Sequence, residues 1–153
     1  MKTKAALPKV LVIVAGFFLQ SAVLPTIASA RLAWKADPQL EAAIIKEDWS
    51  KVASLLDSDS ALPPAARLVK AHAYLVLNRN NESLCLFLSV SSEDDLRQWE
   101  EWAQSFAKKN PRGAIAHYFR GDALARLRQW DAALKAFNKT LELHPNHPLA
   151  LNA

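Results

Sequence analysis

Apolar positions in this chain recur at intervals of three and four residues, the spacing that lines one face of a helix, and strand-like alternation is scarce. From Pro38 onward the pattern divides into short segments. Asp37-Pro38 reads as a helix start, an acceptor cap followed by a proline in the first turn. It opens a helix over 38–46 with Leu40, Ala43, Ile44 and Ile45 on its apolar side. A second helix over 49–57 carries Trp49, Val52, Leu55 and Leu56, and Pro63-Pro64 marks the turn after it. A helix over 64–78 follows, with Leu68, Ala71, Tyr74, Leu75 and Leu77, then a connector at 78–81. The next helix, 81–90, is apolar nearly all round from Leu84 to Leu88, so it is expected to be buried on more than one face. Cys85 lies inside that run and is expected as a buried thiol.

Ser92 and Asp95 form a capping arrangement, and the acidic run 93–95 suits a helix amino end. That helix runs to about Lys109. Leu96, Trp99, Ala103 and Phe106 share one face, and Trp99 and Trp102, three apart, share an edge. Helices over 114–128 and 131–143 follow, and Asn146, His147 and Pro148 would start another.

The first thirty residues follow a different rule. Lys2, Lys4 and Lys9 precede an apolar run from Val10 to about Leu24, then Pro25, then the small-x-small triplet Ala28-Ser29-Ala30. This is the form of a secretory signal peptide cleaved after Ala30. The run is shorter than the roughly 20 residues a membrane-spanning helix needs, so membrane contact is expected only if the segment stays uncleaved. The reading gives two parts: a signal peptide at 1–30 and a helical domain at 31–153. It also disposes of the net charge. Without the three leader lysines, 16 basic residues face 15 acidic ones, so the basic character of the whole chain is no argument for nucleic-acid binding.

The helical domain repeats itself. Residues 67–87 align with 117–137 at an offset of fifty, placing Ala71 on Gly121, Ala73 on Ala123, Leu77 on Leu127, Ser83 on Ala133, Leu84 on Leu134 and Phe87 on Phe137. A fainter copy pairs Trp49 with Trp130, Val52 with Ala133, Leu56 with Phe137 and Pro64 with Pro145. Within 114–147, Gly121, Ala133, Phe137 and Pro145 fall at the small, small, aromatic and closing-proline places of the pattern W-x2-L-G-x2-Y, A-x3-F, P. Leu124 stands for the Tyr, while His117 and Arg120 depart from the Trp and the Leu. On these residues the chain resembles the tetratricopeptide repeat family over most of 36–147.

The resemblance implies an all-α fold: an α-solenoid of antiparallel helix pairs with one clear repeat, 114–147, two degenerate ones, and an extra helix at 93–109 that supplies the additional residues of the offset. Gly121, Ala133, Phe137 and Pro145 become repeat-packing residues, and Trp49 and Trp130 are expected in the core at the helix-to-helix turns. In this family the first helix of each pair lines a concave groove that holds a peptide. Carried over, the groove is lined by Leu68, His72, Leu75 and Val76 from one copy and Tyr118, Asp122, Ala125 and Arg126 from the last. The Lys and Asn of the family's carboxylate-clamp form are missing, so recognition of an acidic chain terminus is not implied.

No catalytic, cofactor-binding or metal-ligating residue is assigned. One cysteine excludes an internal disulfide and a CxxC motif. Glycine-rich phosphate loops and the HExxH and GxSxG motifs are absent. His144 and His147 are three apart, but Pro145 between them breaks helical ligand geometry. The expectation is an exported, periplasmic or secreted, non-enzymatic interaction module without cofactor. It would act as adaptor or scaffold in a cell-envelope complex and take a protein or peptide partner. The alternative is a structural subunit, or a solenoid fragment, that completes its fold by self-association or by stacking on another chain.

Overall fold

The computed structural model describes residues 34–57 and 61–152. The signal peptide expected at 1–30, with its Ala28-Ser29-Ala30 junction, lies outside the described residues. Seven α-helices follow one another: α1 (Pro38–Ile45), α2 (Trp49–Asp57), α3 (Pro64–Val76), α4 (Asn80–Leu88), α5 (Glu93–Lys109), α6 (Ala114–Arg126) and α7 (Trp130–Leu143). A 3₁₀ turn (Ala150–Asn152) stands where a further helix was expected. No strand occurs among the described residues. The architecture is the expected all-α, TPR-like solenoid.

The helix starts follow from local chemistry. Asp37 Oδ1 accepts from the Gln39 and Leu40 amides at 2.7 and 3.0 Å, and Ser92 Oγ accepts from Asp95 at 3.1 Å, each occupying amides the first turn leaves free. The pairs α1–α2, α3–α4 and α6–α7 turn in one identical way. Glu47, Asn78 and Arg128 adopt left-handed backbone with φ of 53°, 59° and 60°. The amide of the next residue donates back five positions, Asp48 to Ala43, Arg79 to Tyr74 and Gln129 to Leu124, at 2.8–3.0 Å. This is the Schellman stop, which normally favours glycine. All three pairs thus share one turn geometry, with a non-glycine residue in the left-handed place each time.

At the end of α2, Asp57 receives the Tyr74 hydroxyl at 2.5 Å and the Lys70 ammonium at 2.8 Å, which ties α2 to α3. Those two hydrogen bonds, Lys70 foremost, hold the Asp57 carboxyl below its ordinary range.

The extra helix decides how the pairs meet. α5 packs against both α3 and α6. Its face of Trp99, Ala103 and Phe106 is buried as expected, and Trp102 with it. Phe119 of α6 is the hub of this core. It is fully buried, with ring centroids 5.2–6.4 Å from His72, Trp99, Trp102, Phe106 and Trp49, so α2, α3, α5 and α6 all converge on it.

Because α5 passes beneath α3 and α6, nothing among the described residues covers the outside of α4. Only Ser83 of α4 is buried; Leu84, Cys85 and Leu88 are exposed. The expectation of a helix buried on several faces around a buried thiol is therefore corrected. Trp130 is corrected likewise. Trp49 is buried against Phe119 at 6.4 Å, but Trp130, at the matching place on α7, is 64% exposed, because α7 is the last α-helix described and no further one covers it.

Gly121, Ala133 and Phe137 lie together inside the last pair. Ala133 is buried, and a Cβ built on Gly121 would lie 2.5 Å from the Phe137 ring. Pro145 follows α7 and is exposed. Alanine favours a helix over glycine by about 1 kcal/mol, so steric contact and intrinsic propensity oppose each other at this position. We expect contact to win: Gly121→Ala should lower stability by about 1–3 kcal/mol, and Phe137→Leu in the Gly121→Ala background should recover part of the loss. Urea unfolding of the three proteins checks this, and a Gly121→Ala variant more stable than the parent would disprove the close approach.

Candidate functional site

The eight residues expected to line a groove separate into two places. Leu68, His72 and Tyr118 are buried, and Asp122 and Arg126 are mostly covered. Leu75 is exposed, and Val76 and Ala125 are half-buried. The interior residues are held there by α5. His72 Nδ1 lies 2.7 Å from the Leu68 carbonyl. A carbonyl can only accept, so this nitrogen carries the proton. The opposite edge of the ring faces Asp122, with Nε2 3.7 Å from Oδ1. The His72 ring stacks on Trp99 at 6.1 Å and meets Phe87, Tyr118 and Phe119 edge-on at 5.0–5.4 Å.

Asp122 closes the cluster. Its Oδ2 accepts from Trp99 Nε1 at 2.9 Å and from Arg126 Nε at 2.8 Å. The Arg126 guanidinium in turn lies 4.8 Å from the Phe87 ring centre. Burial pushes the Asp122 carboxyl up, but the His72 ring and then Arg126 outweigh it and hold it at about 2. Burial, then the nearby Asp122 carboxylate, pushes the Tyr118 phenol well above its usual range. The chemistry of this cluster is cohesive. One carboxylate gathers groups from α3, α5 and α6. Leu68, His72 and Asp122 are thus corrected from groove lining to internal contacts, because the extra helix fills the space in front of them.

The other place is open. Leu75 and Val76 of α3, Tyr118 of α6, Asn78 of the α3–α4 turn and Asn80 at the start of α4 face Pro148 and Leu149 across a cleft of ≈ 430 Å³. Three expected groove residues, Leu75, Val76 and Tyr118, line it together. The sequence offered no sign of its other wall, the segment after α7, because that wall is made by chain return and not by a repeat position. Phe119 and Trp99 were likewise not expected at the centre of the polar cluster. The available signal was Asp122 itself, a charged residue between Gly121 and the apolar Ala123 and Leu124 on a helix otherwise set to pack.

The cluster has a measurable acid signature. Asp122 has a depressed carboxyl in the fold, so its contribution is present above the unfolded value of 3.8 and is lost as pH falls through 3.8 toward about 2. A shift of that size corresponds to about 2 kcal/mol. Asp122→Asn should therefore be less stable than the parent by at least about that much at neutral pH, and the gap should narrow as pH falls across this window. Urea unfolding of both proteins at a series of pH values tests it; a gap that does not change with pH would refute the assignment.

Searches of the curated proteins and of the solved structures returned no match. No helix among the described residues is long and apolar enough to cross a membrane. Residues 100–148, from within α5 through α6 and α7 to the turn beyond, match the family model described as Tetratricopeptide repeat, and over this segment the chain is similar to that family of protein-interaction folds.

Proposed function

We propose that this chain is an exported interaction module that acts as an adaptor or scaffold in a cell-envelope complex. The observation that carries the reading is the cleft between the α3–α4 turn and the segment after α7. Its volume falls in the range of ligand-binding clefts. Leu75, Val76 and Leu149 offer an apolar wall, and the Asn78 and Asn80 amides, each donor and acceptor, suit the backbone of an extended peptide. The similarity of residues 100–148 to tetratricopeptide repeats supports protein binding in general. The pattern of residues 1–30 supports export. The non-enzymatic reading rests on the use of His72 and Asp122 in contacts between helices, with the His72 ring buried in the core.

In-cell photocrosslinking is the direct test. A crosslinking residue replaces Leu75, which is exposed in the cleft, or Arg97, exposed on α5. One dominant envelope protein captured from position 75 and not from position 97 is the expected result. Leu75→Asp should lower recovery of that partner about tenfold, the equivalent of about 1.4 kcal/mol. The same products from both positions would overturn the reading.

A second reading, stacking on another copy or on another helical chain, is favoured by a separate observation. Trp130 and Leu134 are four apart on α7, so they project from one face, and they are 64% and 60% exposed. Solenoid repeats bury such faces against the next repeat. If stacking on a second copy governs, light scattering should give a mass that rises with concentration, and the double variant Trp130→Lys/Leu134→Lys should remain monomeric. A concentration-independent monomer in both proteins would leave the adaptor reading in place.

A further inference from the structure

The turn after α7 returns to the beginning of the fold. His144 and His147, on either side of Pro145, meet Glu47 of the α1–α2 turn, and one ligand atom from each of the three lies within 4.8 Å of the others. His147 is fully buried, yet neither of its ring nitrogens has a hydrogen-bond partner among the described residues. Its Nε2 is 3.6 Å from Glu47 Oε1, beyond hydrogen-bonding distance. A buried imidazole without partners is costly, and here it points toward a carboxylate and a second imidazole.

We propose that Glu47, His144 and His147 form a binding site for a divalent transition metal of the zinc class. Two imidazoles and one carboxylate are ligands of the type zinc takes, in a set that leaves one position for water. Two ligand atoms on a tetrahedral zinc lie about 3.3 Å apart. Contraction from the observed spacing would come from rotation of the exposed His144 and the partly exposed Glu47 side chains toward the buried His147.

The backbones that carry the site are already held. Glu47 sits in the left-handed Schellman position, with its amide on the Ile44 carbonyl at 3.0 Å and its carbonyl receiving the Trp49 amide at 2.9 Å. The His147 amide donates to the His144 carbonyl at 3.0 Å, and the His147 carbonyl accepts from Ala150 at 3.1 Å. The His147 ring stacks on Tyr118 at 5.6 Å and meets His144 edge-on at 5.5 Å. A metal here would pin the segment after α7 to the first helix pair. That segment also forms one wall of the cleft through Pro148 and Leu149, so the metal would brace the cleft as well. The site itself does not depend on what the cleft binds.

The test uses the chain purified without a histidine tag and stripped of metal. Zinc is titrated against a chromophoric chelator, cobalt binding is followed by its ligand-field absorption, and thermal melting is recorded with and without zinc. One equivalent of zinc should bind, cobalt should give a low-symmetry visible spectrum, and zinc should raise the melting temperature. His144→Ala alters an exposed residue and should leave the metal-free melt unchanged while weakening zinc binding by about 100-fold or more; Glu47→Gln should weaken it in the same direction. His117→Ala, at a half-buried histidine outside the proposed site, should leave zinc affinity unchanged. Absence of binding, or binding that His144→Ala leaves intact, would overturn the proposal.

Discussion

A single carboxylate, Asp122, holds the extra helix in the repeat array. Trp99 of α5, Arg126 of α6 and the His72 ring of α3 all address it. A charge in that position would be a defect if left alone, since burial disfavours it. Met by an indole N–H, a guanidinium and an imidazole, it instead fixes the distance and rotation of three helices at once. Around it the rings of His72, Trp99, Phe119 and Phe87 stack or meet edge-on, and these geometries are directional where aliphatic packing is not. The carboxylate and the rings together specify one arrangement of α3, α5 and α6.

The consequences run outward from α5. A regular array would place the next helix pair directly against α3–α4. Here the inserted helix packs on α3 and α6, and α4 is left packing on α3 with Leu84 and Leu88 outside. The same insertion packs on the inner faces of α3 and α6, where the sequence resemblance led a groove to be expected. What stays open is a smaller cleft at the α3–α4 turn, completed by the returning segment after α7. Open surface therefore lies at the ends of the first helices and not at their middle.

The returning segment gives the array a closed character. α1 touches α6, Lys109 of α5 reaches Glu41 of α1 at 3.1 Å, and His147 lies beside Glu47. A solenoid stabilised by neighbour contacts alone loses order at its ends. In this chain the first and last pairs share the α6 core, and the turn residue Glu47 serves both to stop α1 and to face the histidines after α7.

The sequence by itself determined the helices, their order and their pairing. Periodicity placed each helix to within a few residues because its apolar face is a local property. Asp37 and Ser92 announced their caps, and Gly121, Ala133 and Phe137 announced the tight last pair because that contact lies within one repeat and recurs at fixed spacing. The burial of whole faces was not local. Leu84, Leu88 and Trp130 carry the same chemistry as Leu68 or Trp49, and only the path of α5 and the position of α7 at the end of the described helices left them exposed. The candidate site was half legible for the same reason. Leu75, Val76 and Tyr118 follow from repeat register, whereas the second wall of the cleft, the His72–Asp122 contact and the meeting of Glu47 with His144 and His147 join residues fifty to a hundred positions apart. Side-chain spacing along one helix cannot encode such meetings; the tertiary structure decides them, through which helices find room to touch.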